Sequence, residues 1–188
     1  KTYANSILIN HIQPLEEKKN TAMKKILVPT DFSPNAENAT QFAIQMANLF
    51  QSEICLLHSY LVASKRADIL IDLGAIMRSE AEENLRNSLI KTRSKLQGNA
   101  TARGEVIEGS AIADTADYAL KEGCSLIVMG TQGATGALEV FIGSTTGGVL
   151  QHSSVPVLAI PAGYVYKPFK KIVLALDNLP LPDGKVFE

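Results

Sequence analysis

The 188-residue chain carries 18 Lys and Arg against 19 Asp and Glu, so it lacks the basic excess that nucleic acid or an anionic membrane surface would select. With 46% hydrophobic and 20% charged residues it has the make-up of an ordinary globular protein, long enough for one sizeable core and too short for two full α/β domains. No apolar run approaches the ~20 residues of a membrane span. The two cysteines, Cys55 and Cys124, stand in no C-x-x-C or metal-ligand spacing and read as reduced, partly buried thiols.

Lys1 is no natural start, and residues 1–22 show no sustained periodicity. The short apolar stretch at 6–12 is too broken for a signal-peptide core. Met23-Lys24-Lys25 reads as a translation start, so 1–22 is expected to be a leader or loosely ordered arm.

From Met23 onward strand and helix signals alternate. Ile26-Leu27-Val28-Pro29-Thr30 is a short apolar strand that stops at Asp31. Ser33-Pro34 then supplies an N-cap and a proline at the first helical position, and Ala36, Ala39, Ala43 and Phe50 continue one apolar stripe. Ile54-Cys55-Leu56-Leu57-His58 is a second strand, with His58 read as a satisfied strand-end histidine. Residues 61–75 read as a loop with room for a short helix. A long amphipathic helix follows, with Met77, Ala81, Leu85 and Leu89 on one face and Gly98-Asn99 as its stop.

The span 101–108 suits an edge strand, because Arg103, Gly104 and Glu105 sit poorly in a sheet centre. Gly109-Ser110 caps a third helix, closed by Gly123. Leu126-Ile127-Val128-Met129 is the clearest strand, and it runs into the small-residue loop Gly130-Thr131-Gln132-Gly133-Ala134-Thr135-Gly136. A helix over 144–152 precedes a last strand, Val155-Pro156-Val157-Leu158-Ala159-Ile160. Continuous apolar strands separated by helices predict a parallel sheet covered on both faces, and right-handed crossovers make it an open, doubly wound, Rossmann-like α/β sheet.

Beyond it, Phe169-Lys170-Lys171-Ile172-Val173-Leu174-Ala175-Leu176-Asp177 echoes Met23-Lys24-Lys25-Ile26-Leu27-Val28-Pro29-Thr30-Asp31. Such self-similarity signals duplication. The expected organisation is a domain over 23–162, a linker over 163–168 and the first strand of a second, incomplete repeat over 169–188.

Two features converge on one place. In a doubly wound sheet ligands bind beyond the carboxyl ends of strands, where the strand order reverses. If the first and fourth strands are neighbours there, Asp31 faces the glycine loop across a crevice. A carboxylate at that position can accept hydrogen bonds from ribose hydroxyls, and glycines let backbone N–H groups approach phosphate oxygens. Gly143-Ser144-Thr145-Thr146 opens the next helix, whose unpaired N–H groups suit phosphate. A surface loop with a Ser/Thr N-cap would show the same glycines, and their place after the clearest strand favours phosphate. No G-x4-G-K-[ST] P-loop and no G-x-S-x-G elbow is present.

The spacing Gly130-x2-Gly133-x9-Gly143-Ser144 resembles the nucleotide motif of the ATP-binding universal stress proteins. Lys24 through Ser33 is similar to that family's opening strand, Leu126 to Gly130 to its fourth, and Pro156-Val157-Leu158 to its closing strand. The resemblance covers 23–161 and implies a five-stranded sheet of order 3-2-1-4-5, and the echo at 169 suggests a tandem member. It implies adenosine contacts at Pro29, Thr30, Asp31 and Ser59, placed after the second strand. Nucleotide contacts at the far end fall on Met129, Gly130, Thr131, Gly133, Gly143, Ser144, Thr145 and Thr146. The chain departs from the usual pattern at Ser59 and Thr145, where apolar residues are common, and at Thr131-Gln132, which replaces Ser-His or Ser-Arg.

The function implied is a cytoplasmic stress-response module that binds ATP or a related adenine nucleotide, with or without Mg2+. It would dimerise through the last strand, over 155–160, and use no metal-ligating side chains. Slow ATP hydrolysis or phosphotransfer is the rival, and phosphoryl transfer needs a placed base or cation. Only Glu139 is offered, with no Lys or Arg between Gly130 and Gly148. A dimeric scaffold that has lost nucleotide binding is the other rival, and the intact glycine spacing argues against it.

Overall fold

Runs of apolar residues buried on both faces need helices above and below them, and the computed structural model of the chain has that arrangement. It describes residues 23–62, 73–131 and 142–171. The elements are β1 (Lys25–Pro29), α1 (Pro34–Phe50), β2 (Glu53–Tyr60), α2 (Leu73–Arg93), β3 (Thr101–Glu108), α3 (Ala111–Lys121), β4 (Leu126–Gly130), α4 (Ser144–His152) and β5 (Val157–Ile160). The five strands form one parallel sheet of order β3-β2-β1-β4-β5.

Alternation along the strands sorts the core into two layers. Ile26, Val28, Ile54, Leu56 and Val128 pack with Phe42 and Ala43 of α1 and Leu85 of α2. Leu27, Leu57, Ile127 and Met129 point the other way, against Tyr118 and Ala119 of α3 and Val149 of α4. Both edge expectations agree with the sheet: β3 carries Arg103, Gly104 and Glu105 at one margin, and β5 forms the other.

The helix signals have physical counterparts. Ser33 Oγ accepts the Ala36 N–H at 3.2 Å and Pro34 opens α1. The helix ends on Gln51 in the left-handed region, φ 55°. Four boundaries differ from the sequence reading. Helix α2 takes in residues 73–75, which read as loop.

It also stops at Arg93, well before Gly98-Asn99, because that pair serves a different partner. Gly98 has φ +63°, and a Cβ there would lie 2.3 Å from Oε1 of Gln51, the same oxygen that accepts the Asn99 N–H at 2.6 Å. β2 continues past His58 to Tyr60, so Ser59 lies within the strand. β5 begins at Val157, since Val155 is held in a local turn by Ser153 Oγ and Pro156 has no N–H to give the ladder.

After β5 the chain crosses α1. Asn38 Nδ2 donates to the carbonyls of Pro161 (3.3 Å) and Tyr164 (3.2 Å). The rings of Tyr164, Tyr166 and Phe169 lie 6.2, 4.9 and 6.0 Å from that of Phe42. Within the stretch read as a linker, 163–168, Tyr164 and Tyr166 therefore touch the domain, while the residues around them are exposed. The leader at 1–22 and all but the first three residues of the echoed repeat lie outside the described residues. Among the described residues no helix is long and apolar enough to cross a membrane.

Phe42 is 2% exposed and joins the sheet core to this aromatic cover. Phe42→Ala is expected to cost about 3–5 kcal/mol in urea unfolding, whereas Leu120→Ala, at a position 64% exposed, is expected to stay within about 0.5 kcal/mol.

Candidate functional site

The chain leaves β1 toward β2 and β3 on one side and returns to β4 and β5 on the other. β1 and β4 are therefore neighbours whose following loops diverge, which opens a crevice at their carboxyl ends. A cleft of about 160 Å³ lies there. β1 and its continuation line it with Pro29, Thr30 and Asp31, β2 with Leu57 and Ser59, and β4 with Met129 and Gly130. Gly143, Ser144, Thr145 and Thr146 close the far end.

Ten of the twelve residues singled out from sequence thus share one cleft. Thr131 stands off its wall, and Gly133 lies outside the described residues. Ala36, Leu57, Ala111 and Thr115 also line it and were not anticipated. For Ala111 a signal existed: Gly109-Ser110 marks a strand-to-helix turn at the same carboxyl edge of the sheet. Thr115, one helical turn further and 1% exposed, had none.

The turn after β1 is held from several sides. The Thr30 N–H donates to the Leu57 carbonyl at 2.8 Å, carrying the strand pairing one residue past β1. Thr30 Oγ1 accepts the Phe32 N–H at 3.0 Å, and Asp31 Oδ1 accepts the Ser33 N–H at 3.0 Å. Phe32 sits at φ 61°, an uncommon conformation for so bulky a residue, which surrounding contacts must impose.

His58 supplies two of those contacts. Its Nδ1 is 2.7 Å from the Thr30 carbonyl, which only accepts, so the proton is on Nδ1. Its ring lies 4.5 Å from that of Phe32. His58 is thus the satisfied histidine expected, and its partners are the residues that present Asp31.

At the far end Gly143 and Gly130 line the cleft and also have partners within the fold. Gly143 is the N-cap of α4, and its N–H donates to the Thr131 carbonyl at 2.7 Å. The Gly143 carbonyl accepts the first helical bond, from the Gly147 N–H at 2.8 Å. The N–H groups of Ser144, Thr145 and Thr146 have no partner among the described residues, as the first turn of a helix dictates. No acidic side chain stands in that turn. Three N–H dipoles at the positive end of a nine-residue helix suit a phosphate or carboxylate.

The Thr146 hydroxyl donates to the Gly130 carbonyl at 2.7 Å and fastens this turn to β4. A Cβ on Gly130 would lie 3.0 Å from the Asn35 carbonyl oxygen, so the first turn of α1 leaves little room for a side chain there.

The cleft therefore has a carboxylate at one side, helix N–H groups at the other and a mixed floor of Leu57, Met129, Ser59 and Thr115. Among the described residues no Lys or Arg lines it, and no group of three His, Cys, Asp or Glu side chains could hold a metal ion.

The sequence profile of the universal stress protein family matches residues 23–161. The chain belongs to that family. Universal stress protein MJ0577 of Methanocaldococcus jannaschii is 31% identical over 152 residues, spanning 73% of this chain and 94% of its own. The solved structure of that MJ0577 protein superposes with a TM-score of 0.66 at 27% identity, covering 77% of this chain and 99% of the other.

Two more distant structures show the same fold. A universal stress protein from Archaeoglobus fulgidus in complex with dAMP has 22% identity, a TM-score of 0.55 and coverage of 74% and 98%. One in complex with cAMP has 22% identity, a TM-score of 0.56 and coverage of 76% and 100%.

His58→Ala removes both the donor to Thr30 and the ring beneath Phe32 in this universal stress protein. It is expected to cost about 1–3 kcal/mol in urea unfolding. His58→Asn, whose amide can still donate, is expected to recover part of that loss.

Proposed function

We propose that the cleft binds an adenine nucleotide, ATP foremost, and that the domain acts as a regulatory stress-response module. The observation that carries this reading is the pairing, in one cleft, of the Asp31 carboxylate with the unpartnered N–H groups of Ser144, Thr145 and Thr146. A nucleotide has matching ends: ribose hydroxyls that donate and phosphates that accept. With the phosphates at α4 and the ribose at Asp31, the base falls toward Leu57, Ser59, Ala111 and Thr115.

The glycine spacing of the ATP-binding family members supports the same ligand, with Gly133 as its remaining phosphate contact. Relatives of this fold have been solved with dAMP and with cAMP. The roles of Gly130 and Gly143 are then indirect: one admits α1, the other caps α4, and the N–H groups beyond them meet phosphate. Any Mg2+ would be held chiefly by the phosphates and water, as is usual for that ion.

We read the cleft as a binding site rather than a turnover site because, among the described residues, no Lys or Arg lines it to share the charge that phosphoryl transfer develops. On this reading the protein works in the cytoplasm as a sensor. β5 presents an unpaired edge within the described sheet. A second copy pairing there would give a homodimer. A second domain beginning near Phe169 would offer such an edge within one chain.

Ser144→Pro is the discriminating variant. Proline is tolerated at the first helical position, and Gly143 at ψ 156° already has the extended backbone that precedes proline. The change removes one N–H donor and leaves the helix. Calorimetric titration is expected to show ATP binding about ten- to 150-fold weaker, the loss of one hydrogen bond to a charged group. Asp31→Ala should weaken binding about as much. Wild-type protein freed of ligand that gives neither heat nor a thermal shift with ATP would overturn the reading. Equal affinity in all three would put the nucleotide elsewhere.

Assembly is tested separately. Sedimentation is expected to show a dimer burying at least about 1,200 Å² in total, and Leu158→Lys on β5 is expected to yield monomers.

A further inference from the structure

The chain has only two cysteines, and the fold brings them together from distant positions. Cys55 lies in β2, and Cys124 lies in the turn between α3 and β4. Both are reduced and buried, at 1% and 7% exposure, in the layer beneath α3 that also holds Leu27, Tyr118 and Ala119. They share that one buried cluster, where each thiol is close enough to perturb the other.

Two cations stand beside the pair. Arg103 is the residue opposite Cys55 on β3, and its guanidinium reaches Glu122 at 2.6 Å, the Tyr118 hydroxyl at 2.6 Å and Glu53 at 3.4 Å. Lys25 Nζ donates to the Glu122 carbonyl at 2.9 Å. Glu122 is two residues before Cys124, so both cations converge on the turn that carries this cysteine.

We propose that Cys55 and Cys124 form a dithiol site that a hydroperoxide oxidises to an intramolecular disulfide. The neighbouring Cys55 thiol draws the Cys124 thiol below its ordinary range, against the burial that pushes it up, and the charges of Lys25 and Arg103 act in the same direction. The neighbouring Cys124, together with burial, pushes Cys55 up. The convergence of Lys25 and Arg103 on the turn that carries Cys124 makes it the attacking sulfur and Cys55 the resolving one.

The Cys124 thiolate attacks one peroxide oxygen. The O–O bond breaks, hydroxide leaves and takes up the proton that Cys124 lost, and a sulfenic acid remains. The Cys55 sulfur then attacks the sulfenic sulfur. The S–S bond forms, the S–O bond breaks, and the departing hydroxide takes the Cys55 proton as a second water. Two thiols and one hydrogen peroxide give one disulfide and two waters, with sulfur oxidised and peroxide oxygen reduced.

The pair lies at the amino-terminal side of β4, while the nucleotide cleft lies at its carboxyl end. Oxidation is thus a chemistry distinct from ligand binding and independent of the nucleotide reading. The disulfide would tie β2 to the start of β4 across β1.

The test is treatment of the reduced, folded full chain with hydrogen peroxide, followed by thiol counting after denaturation and intact mass. Loss of both thiols is expected, with the mass of two hydrogens removed, reversal by dithiothreitol and no cross-linked dimer on a non-reducing gel. Cys55→Ser should stop at a sulfenic acid on Cys124 that dimedone traps, and Cys124→Ser should leave Cys55 unreactive at the same dose. Two thiols still titrating in peroxide-treated wild type, or mass gained as oxygen without disulfide, would overturn the proposal, and neither result depends on how the variants fold.

Discussion

Everything in this domain hangs on β1. Ile26, Leu27 and Val28 have no exposure, and β1 is bonded to β2 on one edge and β4 on the other. A strand with no free edge and no free face can be approached only at its ends. The chain leaves β1 in one direction and returns on the other side, so its carboxyl end is where neighbouring connections part. The cleft is the gap left by that parting, which is why a carboxylate placed just past the strand lines it.

The cleft is built by packing before it is built for chemistry. Gly130 lies where the first turn of α1 leaves little room for a side chain. Thr146 ties α4 to that same residue, and the Gly143 N–H is spent on Thr131. These bonds leave the next three N–H groups as the open donors. On the other side His58 and the hydroxyl of Thr30 hold Phe32 in a conformation it would not choose, and Asp31 is presented by the turn so formed. A site assembled in this way is preorganised, since its donors and acceptors are fixed by contacts that exist without ligand.

The fold was legible where local and global preferences agree. Ile26-Leu27-Val28 and Leu126 through Met129 read as buried strands because both their faces are covered, and Ser33-Pro34 read as a helix start because its cap is a local interaction. Legibility failed where a residue answers a distant partner. Gly98 looked like the stop of α2, yet its conformation serves Gln51, which caps α1. Gly143 read as part of the phosphate end, but the bond of its N–H to Thr131 is a contact that no spacing announces. Thr115 was unreadable as cleft lining because only the docking of α3 against the sheet brings it there. Cys55 and Cys124 read correctly as buried thiols, and nothing in their spacing betrayed that they meet.

Helix α4 is where ligand, sheet and assembly can influence one another. Its sequence, Ser-Thr-Thr-Gly-Gly-Val-Leu-Gln-His, is a poor helix former, each glycine costing about 0.8–1 kcal/mol relative to alanine. Val149, with no exposure, anchors it, and Gly148 lets Ile112 of α3 come close enough that a Cβ would lie 2.5 Å from its Cδ1. A helix held by so few contacts gains most from whatever satisfies its first turn. A phosphate there acts on the N–H groups and on the dipole at once, and any ligand of the folded state alone shifts the balance toward it. The C-terminal end of α4 runs within five residues into β5, the margin of the sheet. On the proposed reading, occupancy of the cleft would be felt first by the element nearest the open edge, and that edge is where a second copy would have to pair.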